Sequence, residues 1–406
     1  MALATELVTL ADVLAARELL GDVVRVTPME RSRALAAQVG GPVLLKCENL
    51  QRTGSFKLRG AYTRIARLTA EERSRGVVAA SAGNHAQGVA LAARLLGTTS
   101  TVFMPGGAPL PKVAATRAYG ATVRLQGDTV DRCLESAQRF ARETGAVFIH
   151  PFDHPDVVAG QGTLGLEILE QCPDVRTVVV CTGGGGLVAG VAVAIKALRP
   201  DVRVVGVQAA GAAAFPGSLA AGHPVALPGM STIADGIAVG RPGEVTFRHV
   251  AALVDEIVTV SEEDISRALL LLLERAKLVV EPAGAAAVAA VLAGAVEVEA
   301  PVVTVLSGGN IDPLLLLRVI EHGLSAARRY LSFTVKFEDR PGSLARMLAL
   351  VAEAGGNVLD VSHARTDPRL HLGEVDVVLR VETKGAEHSE ELMAALRGAG
   401  YRLHFG

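Results

Sequence analysis

The chain has 406 residues, room for two or three domains of ordinary size. Half of it is hydrophobic, 20% is charged and the net charge is −2; this marks a folded protein with a large core and argues against a general electrostatic grip on nucleic acid or an anionic membrane. Aromatic residues are 3% with no tryptophan, so a base-stacking groove is not indicated.

The opening stretch MALATELVTLADVLAAR carries Glu6 and Asp12 and has no basic start followed by an apolar block, so it is not expected to be a signal peptide. In RTGSFKLRGAYTR (52–64) a helix is expected to begin, with Lys57 at its third position. A lysine there faces the positive end of the helix dipole. It is either a solvated side chain or a neutral amine kept for Schiff-base chemistry. From about residue 40 to 325, short β-branched runs alternate with helical runs. GVVAAS (76–81), STVFMP (100–105), ATVRLQ (121–126), AVFIHP (146–151), RTVVVCT (176–182), VRVVGVQ (202–208) and PVVTVLSGGN (301–310) read as strands. They are apolar throughout, as in parallel sheets covered on both faces. Helices are expected between them, one at GTLGLEILEQC (162–172). The uncharged run from Val178 to Ile195 raises the question of a membrane span, but its four consecutive glycines favour a buried strand, a turn and a buried helix. Residues 209–245 are rich in Gly, Pro and Ala and read either as a surface connection or as a functional lid. Near 322–331 the composition shifts. LSFTVKFE, DRPGSLARMLALVAEAG, NVLDVSHAR, GEVDVVLRVET, HSEELMAALRGAG and YRLHF then spell βαββαβ, with TDPRLHL (366–372) joining the middle strands. Cys47, Cys133, Cys172 and Cys181 form no CxxC pair, so zinc or thioredoxin-like chemistry is not indicated and scattered buried thiols are expected.

Gly183, Gly184, Gly185 and Gly186 stand between an apolar strand and a helix. Glycines let backbone approach an anion, and the helix start offers free N–H groups, so this is a candidate phosphate loop. No GK[ST] follows, which rules out a triphosphate P-loop. Gly184, Gly186 and Ala189 match G-x-G-x-x-A, but the next strand ends in Gln208 rather than in an acid, so a small cofactor with one phosphate fits better than a dinucleotide. Ser81, Ala82, Gly83, Asn84 and His85 form a polar turn at another helix start, either a plain cap or a carboxylate clamp. His150 and His154 have i, i+4 spacing, but Pro151 and Pro155 exclude the helix a metal pair would need, so no metal is assigned. A lysine at one helix start, a polar turn at a second, a glycine loop at a third and Ser307 after a late strand together make the parts list for pyridoxal phosphate.

The segments ENLQRTGSFKLRGA, SAGNHAQGVA, HPFDHPDVVAGQGT, CTGGGGL, TIADGIAV, EPAGA and LSGGN, spread over nearly all of residues 20–320, carry a resemblance. The chain resembles the threonine/serine dehydratases among the fold-type II pyridoxal-phosphate enzymes, and its C-terminal part, through DRPGSLARML and GGNVLDVSHAR, resembles an ACT domain. The resemblance implies an α/β architecture: two three-layer α/β/α subdomains with mostly parallel sheets in residues 1–325, the smaller at about 50–150, and a ferredoxin-like ACT domain at 331–406. It assigns Lys57 as the Schiff-base lysine, Phe56 as the residue stacked on the cofactor ring and Asn84 as the partner of the ring's phenolic oxygen. Gly183 to Gly186 with Leu187 match the phosphate loop, Ser307 the partner of the pyridine nitrogen, and Ser81, Gly83 and His85 the substrate-carboxylate turn. A serine does not hold the pyridine nitrogen protonated as an aspartate would, which favours β-elimination over a long-lived carbanion. Racemases of this family carry a serine where this chain has Ala82, so racemisation is expected to be poor. They also bind a divalent cation through acids after the strand that here ends in Gln208; no divalent metal is expected, and a monovalent ion on backbone carbonyls stays open. ACT domains pair side by side and bind a small amino acid, which would place Asp339, Arg340, Pro341, Gly342, Ser343 and Asn357 at an effector site. The expected protein is a cytoplasmic homo-oligomer, a dimer or tetramer. It would convert L-threonine, and to some extent L-serine, to the 2-oxo acid and ammonia, with an effector such as isoleucine. A serine-preferring dehydratase and a catalytically dead amino-acid sensor are the two rival readings.

Overall fold

The computed structural model describes residues 6–326, 328–364 and 373–405. The connection 366–372 lies outside the described residues. Residues up to Asp312 form one compact unit and those from Pro313 another.

The first unit holds two sheets. The larger runs in the order Met29–Arg31, Val43–Lys46, Val302–Val305, Thr177–Cys181, Arg203–Ala209 and Glu256–Val260. Its first strand is antiparallel to its neighbour and the rest are parallel. The smaller, Thr122–Leu125, Ser100–Met104, Val77–Ala80 and Val147–Phe148, is wholly parallel. Strands such as Thr177–Cys181 and Val77–Ala80 are buried at every residue, which is why they read as unbroken apolar runs. Val302–Val305 lies between Val43–Lys46 and Thr177–Cys181, all three parallel. Their C-terminal ends therefore leave the sheet at one edge. Three loops distant in sequence, the one leading to Lys57, the glycine loop and the turn at Ser307, meet there, as ligand-binding loops of parallel sheets do.

Two elements differ from expectation. Lys57 is the first residue of its helix, Lys57–Ala66, because Phe56 is its N-cap. The helix expected from residue 162 begins at Pro155, where a proline costs no backbone bond and the His154 ring, accepting from Asp156 N, caps the start.

Under the Lys57 helix lies a buried ionic cluster. Lys46 Nζ donates to Glu167 Oε2 at 2.6 Å, to Gln171 Oε1 and to the Thr27 carbonyl. Arg59 forks onto Glu48 at 2.8 and 2.9 Å and reaches Glu167 at 2.7 Å. Burial pushes the Glu48 carboxyl up, yet Arg59 beside it holds it below its ordinary range. Two cations and two anions cancel, which is what makes their burial tolerable.

In the second unit the helix Pro313–Ala326 comes first and β-α-β-β-α-β follows, and the antiparallel sheet runs Asn357–Ala364, Glu374–Glu382, Tyr330–Glu338, Arg402–His404. Val375, Val377, Leu379 and Val381 alternate inward along one strand and pack with Met347 and Leu392 of the two helices. The fold class expected from the sequence, mostly parallel α/β sheets followed by an antiparallel βαββαβ sheet, is the one observed. No described helix is long and apolar enough to cross a membrane.

Candidate active site

Lys57 is partly buried, and its Nζ donates to the Pro151 carbonyl at 3.0 Å while standing 5.0 Å from the centre of the Phe56 ring. Burial lowers its pKa from 10.5 to about 8, with Cys181 and Glu281 opposing. A sizeable fraction of the amine is therefore neutral at physiological pH. Phe56 N donates to the Ser307 carbonyl, and a bridge joins Ser55 to Gly308, so the lysine's helix start is pinned to the turn after the central strand.

The glycine loop starts the helix Gly186–Leu198 with Gly185 as N-cap and no side-chain cap. Its amides are left for a ligand. Gly185 has φ +94°, and a Cβ there would fall 2.7 Å from the Phe215 ring. Gly184 and Gly186 lie against Phe152, Gly183 against Ile237 and Val239, and Leu187 is buried behind them. Thr246 Oγ1 donates to the Gly184 carbonyl, and Gln208 joins the Gly183 carbonyl (3.5 Å) to Phe215 N (2.9 Å). Segment 209–245 thus folds over the loop rather than away from it, and Asp235 pairs with Lys112 at 2.8 Å. Replacing Gly185 with alanine is expected to weaken pyridoxal-phosphate binding about tenfold, from roughly 1–2 kcal/mol of backbone strain. Fluorescence titration of the apoprotein reads this out, and unchanged affinity would show that the loop does not hold the phosphate.

At the polar turn, the helix Asn84–Leu95 has Gly83 as N-cap with no side-chain bond. Neither Ser81 nor Asn84 caps it: the Ser81 hydroxyl instead accepts from Gly83 N at 3.2 Å, so the first-turn amides have no side-chain partner. His85 Nε2 lies 2.8 Å from the Ile149 carbonyl, which only accepts, so this nitrogen carries the proton. Burial first, then Lys57, lowers its pKa to about 3, and the ring is neutral. His150 and His154 each accept backbone N–H bonds through Nδ1, at Asp153 and Asp156. Among the described residues no group of three or more His, Cys, Asp or Glu side chains is placed to hold a metal.

Three residues of the site went unassigned from the sequence. Cys181 Sγ donates to Ser307 Oγ at 3.1 Å, and burial pushes its thiol up to about 11. It remains a thiol, and the serine's own proton is left for another acceptor. Glu281 Oε1 accepts from Asn84 Nδ2 at 2.5 Å; burial and Asp235 push its carboxyl up to about 7. Asn310 Nδ2 donates to Asn84 Oδ1 at 2.8 Å. The segments EPAGA and LSGGN contained two of these side chains, but no local pattern aims them at Asn84.

Residues 20–308 match the family described as pyridoxal-phosphate dependent enzyme, and 331–398 match the ACT domain. The chain belongs to the pyridoxal-phosphate-dependent enzyme family. An L-threonine ammonia-lyase of Thermotoga maritima is 49% identical over 98% of this chain and 99% of its own length. The threonine deaminase isoform 2 of Solanum lycopersicum superposes with a TM-score of 0.74 at 39% identity, covering 77% of this chain and 92% of that one. Maize serine racemase superposes with 0.74 at 35% identity, covering 80% and 100%. The residues fit the family's cofactor: a glycine cradle at an uncapped helix start suits a phosphate, and a shielded amine of lowered pKa suits its aldehyde.

The second unit's candidate residues do not converge within one copy. Asp339 to Ser343 follow Glu338, which pairs with Glu374, whereas Asn357 pairs with Glu382 at the other end of that strand. Eight residues of strand separate the two ends, about 26 Å at 3.3 Å per residue.

Proposed function

We propose that this chain is a pyridoxal-phosphate-dependent threonine ammonia-lyase that converts L-threonine to 2-oxobutanoate and ammonia and takes L-serine less well. The observation that carries the reading is the Lys57 amine, shielded, lowered in pKa and held at the wall formed by Phe56 and the Ser307 turn. Relatives named for this reaction align over nearly the whole chain.

In this reading the glycine-loop amides and the start of helix Gly186–Leu198 hold the cofactor's phosphate. The Ser307 hydroxyl would serve the ring nitrogen, Phe56 the ring and Asn84 its phenolic oxygen. When bound, pyridoxal phosphate supplies the electron sink that acidifies the substrate's Cα–H. The uncapped amides of the 81–85 turn receive the substrate carboxylate. His85, neutral and donating to the Ile149 carbonyl, fixes the turn without adding charge. Neutral Lys57 accepts the α-proton. Water lost from threonine is regained on hydrolysis, so the overall products are the 2-oxo acid and ammonia.

The ACT unit regulates this reaction in our reading. Two copies that pair their Asn357–Ala364 edge strands across a two-fold would bring the 339–343 turn of one to Asn357 of the other, making a site for a small amino acid. Cytoplasmic location and a dimer or tetramer complete the proposal. Release of 2-oxo acid from L-threonine and L-serine by pure protein plus cofactor, with and without isoleucine, tests it. We expect a threonine preference and a rate altered by isoleucine. A serine preference moves the assignment to serine dehydratase, and cofactor binding without turnover of either substrate removes it.

A further inference from the structure

The orientation of a side-chain amide is set by its neighbours, and here the neighbours leave one solution. Asn310 Nδ2 lies 2.7 Å from the Thr53 carbonyl oxygen, which only accepts, so the nitrogen end of Asn310 must be there. The same nitrogen lies 2.8 Å from Asn84, and both of its hydrogens are then committed. Asn84 must meet it with oxygen. Its nitrogen end consequently faces Glu281, at 2.5 Å from Oε1. Turning Asn84 over would set nitrogen against nitrogen and oxygen against carboxylate oxygen, replacing two hydrogen bonds with two repulsions. Gly308 leaves room for this arrangement: a Cβ there would fall 2.2 Å from Glu281 Oε1 and 3.0 Å from Asn84 Nδ2. Four residues on from Asn84, a Cβ at Gly88 would meet the Lys57 backbone at 3.1 Å, so this face of the helix packs against the lysine. One of the two N–H groups of Asn84 goes to Glu281 and the other remains, on that same face.

We infer that Asn310 and Glu281 are positioning residues that lock Asn84 as a hydrogen-bond donor toward the bound cofactor, so that the oxygen it meets is held as an anion. The inference rests on the cofactor reading above. A reversed Asn84 would present an oxygen and favour the protonated phenol instead. Glu281 requires only an acceptor at Oε1, which its neutral and ionised forms both offer. Asn310 requires two donor hydrogens, which an aspartate lacks.

The test compares wild type, Asn310→Asp, Glu281→Leu and Glu281→Gln, each reconstituted with pyridoxal phosphate. The readouts are the absorption spectrum and the cofactor affinity from apoprotein titration. Asn310→Asp and Glu281→Leu are expected to move intensity from the long-wavelength band to the short-wavelength band and to weaken affinity about tenfold, the loss of one hydrogen bond. Glu281→Gln, whose amide oxygen still accepts, is expected to keep the wild-type spectrum. Should Asn310→Asp not fold, by circular dichroism, the Leu/Gln pair at Glu281 decides. Wild-type spectra and affinities in both Asn310→Asp and Glu281→Leu overturn this inference alone. A wild-type protein that gains no visible band overturns the functional reading and this inference with it.

Discussion

Replacing Lys57 with alanine is expected to lower kcat for L-threonine by at least about 10³-fold while leaving the fold intact, because the base for the α-proton is removed. Steady-state turnover at measured cofactor content, beside circular dichroism, reads this out. Activity within tenfold of wild type would place the base elsewhere. The same lysine gives a pH test independent of turnover. Only the neutral amine attacks the cofactor's aldehyde, and burial has lowered its pKa to about 8. Below that value the amine is protonated, and the rate at which apoprotein captures pyridoxal phosphate falls tenfold per pH unit. Above it the rate levels off. A rate that keeps climbing toward the ordinary lysine value of 10.5 would mean that the site does not perturb the amine.

Glu48→Ala is expected to destabilise the first unit by about 3–5 kcal/mol, since it strands the buried Arg59 guanidinium without its forked partner. The contrast is Asp201→Ala, which breaks a solvent-exposed Arg199 pair and is expected to leave stability nearly unchanged. Urea midpoints of the two variants against wild type decide the matter, and equal shifts would deny the buried cluster its role. The sign with pH follows from the lowered Glu48 pKa: its contribution is complete above the ordinary carboxylate range and fades as pH falls through the lower, folded-state value. Because Arg59 sits in the helix that Lys57 starts, part of the loss should reach cofactor affinity as well as stability.

The alternation of strands and helices, the glycine loop and the βαββαβ order of the second unit were legible because each is written locally. An apolar run covered on both faces, a glycine quartet at a helix start and a period-two strand need no knowledge of what lies opposite. From its own stretch Lys57 was legible only as one of two alternatives, since a lysine's burial is not a local property, and the family resemblance chose between them. Nothing local in the sequence marks Lys46, Glu48 and Arg59 as buried, and only the packing of the Lys57 helix against the helix Pro155–Gln171 shows that they lie inside.

The sequence by itself determined which residues could do chemistry: an amine, an amide, a serine and a glycine loop, each at the end of a recognisable strand or the start of a helix. Tertiary structure alone decided how they face one another. Asn84 meets Glu281 and Asn310 across 197 and 226 residues of chain, and Cys181 meets Ser307 across 126. Such pairs are set by the order of strands in the sheet. Val302–Val305 runs between Val43–Lys46 and Thr177–Cys181, so the loops beyond their C-terminal ends share one edge. Hydrogen-bond direction then follows from which atom lies opposite which, and spacing along the chain carries none of that information.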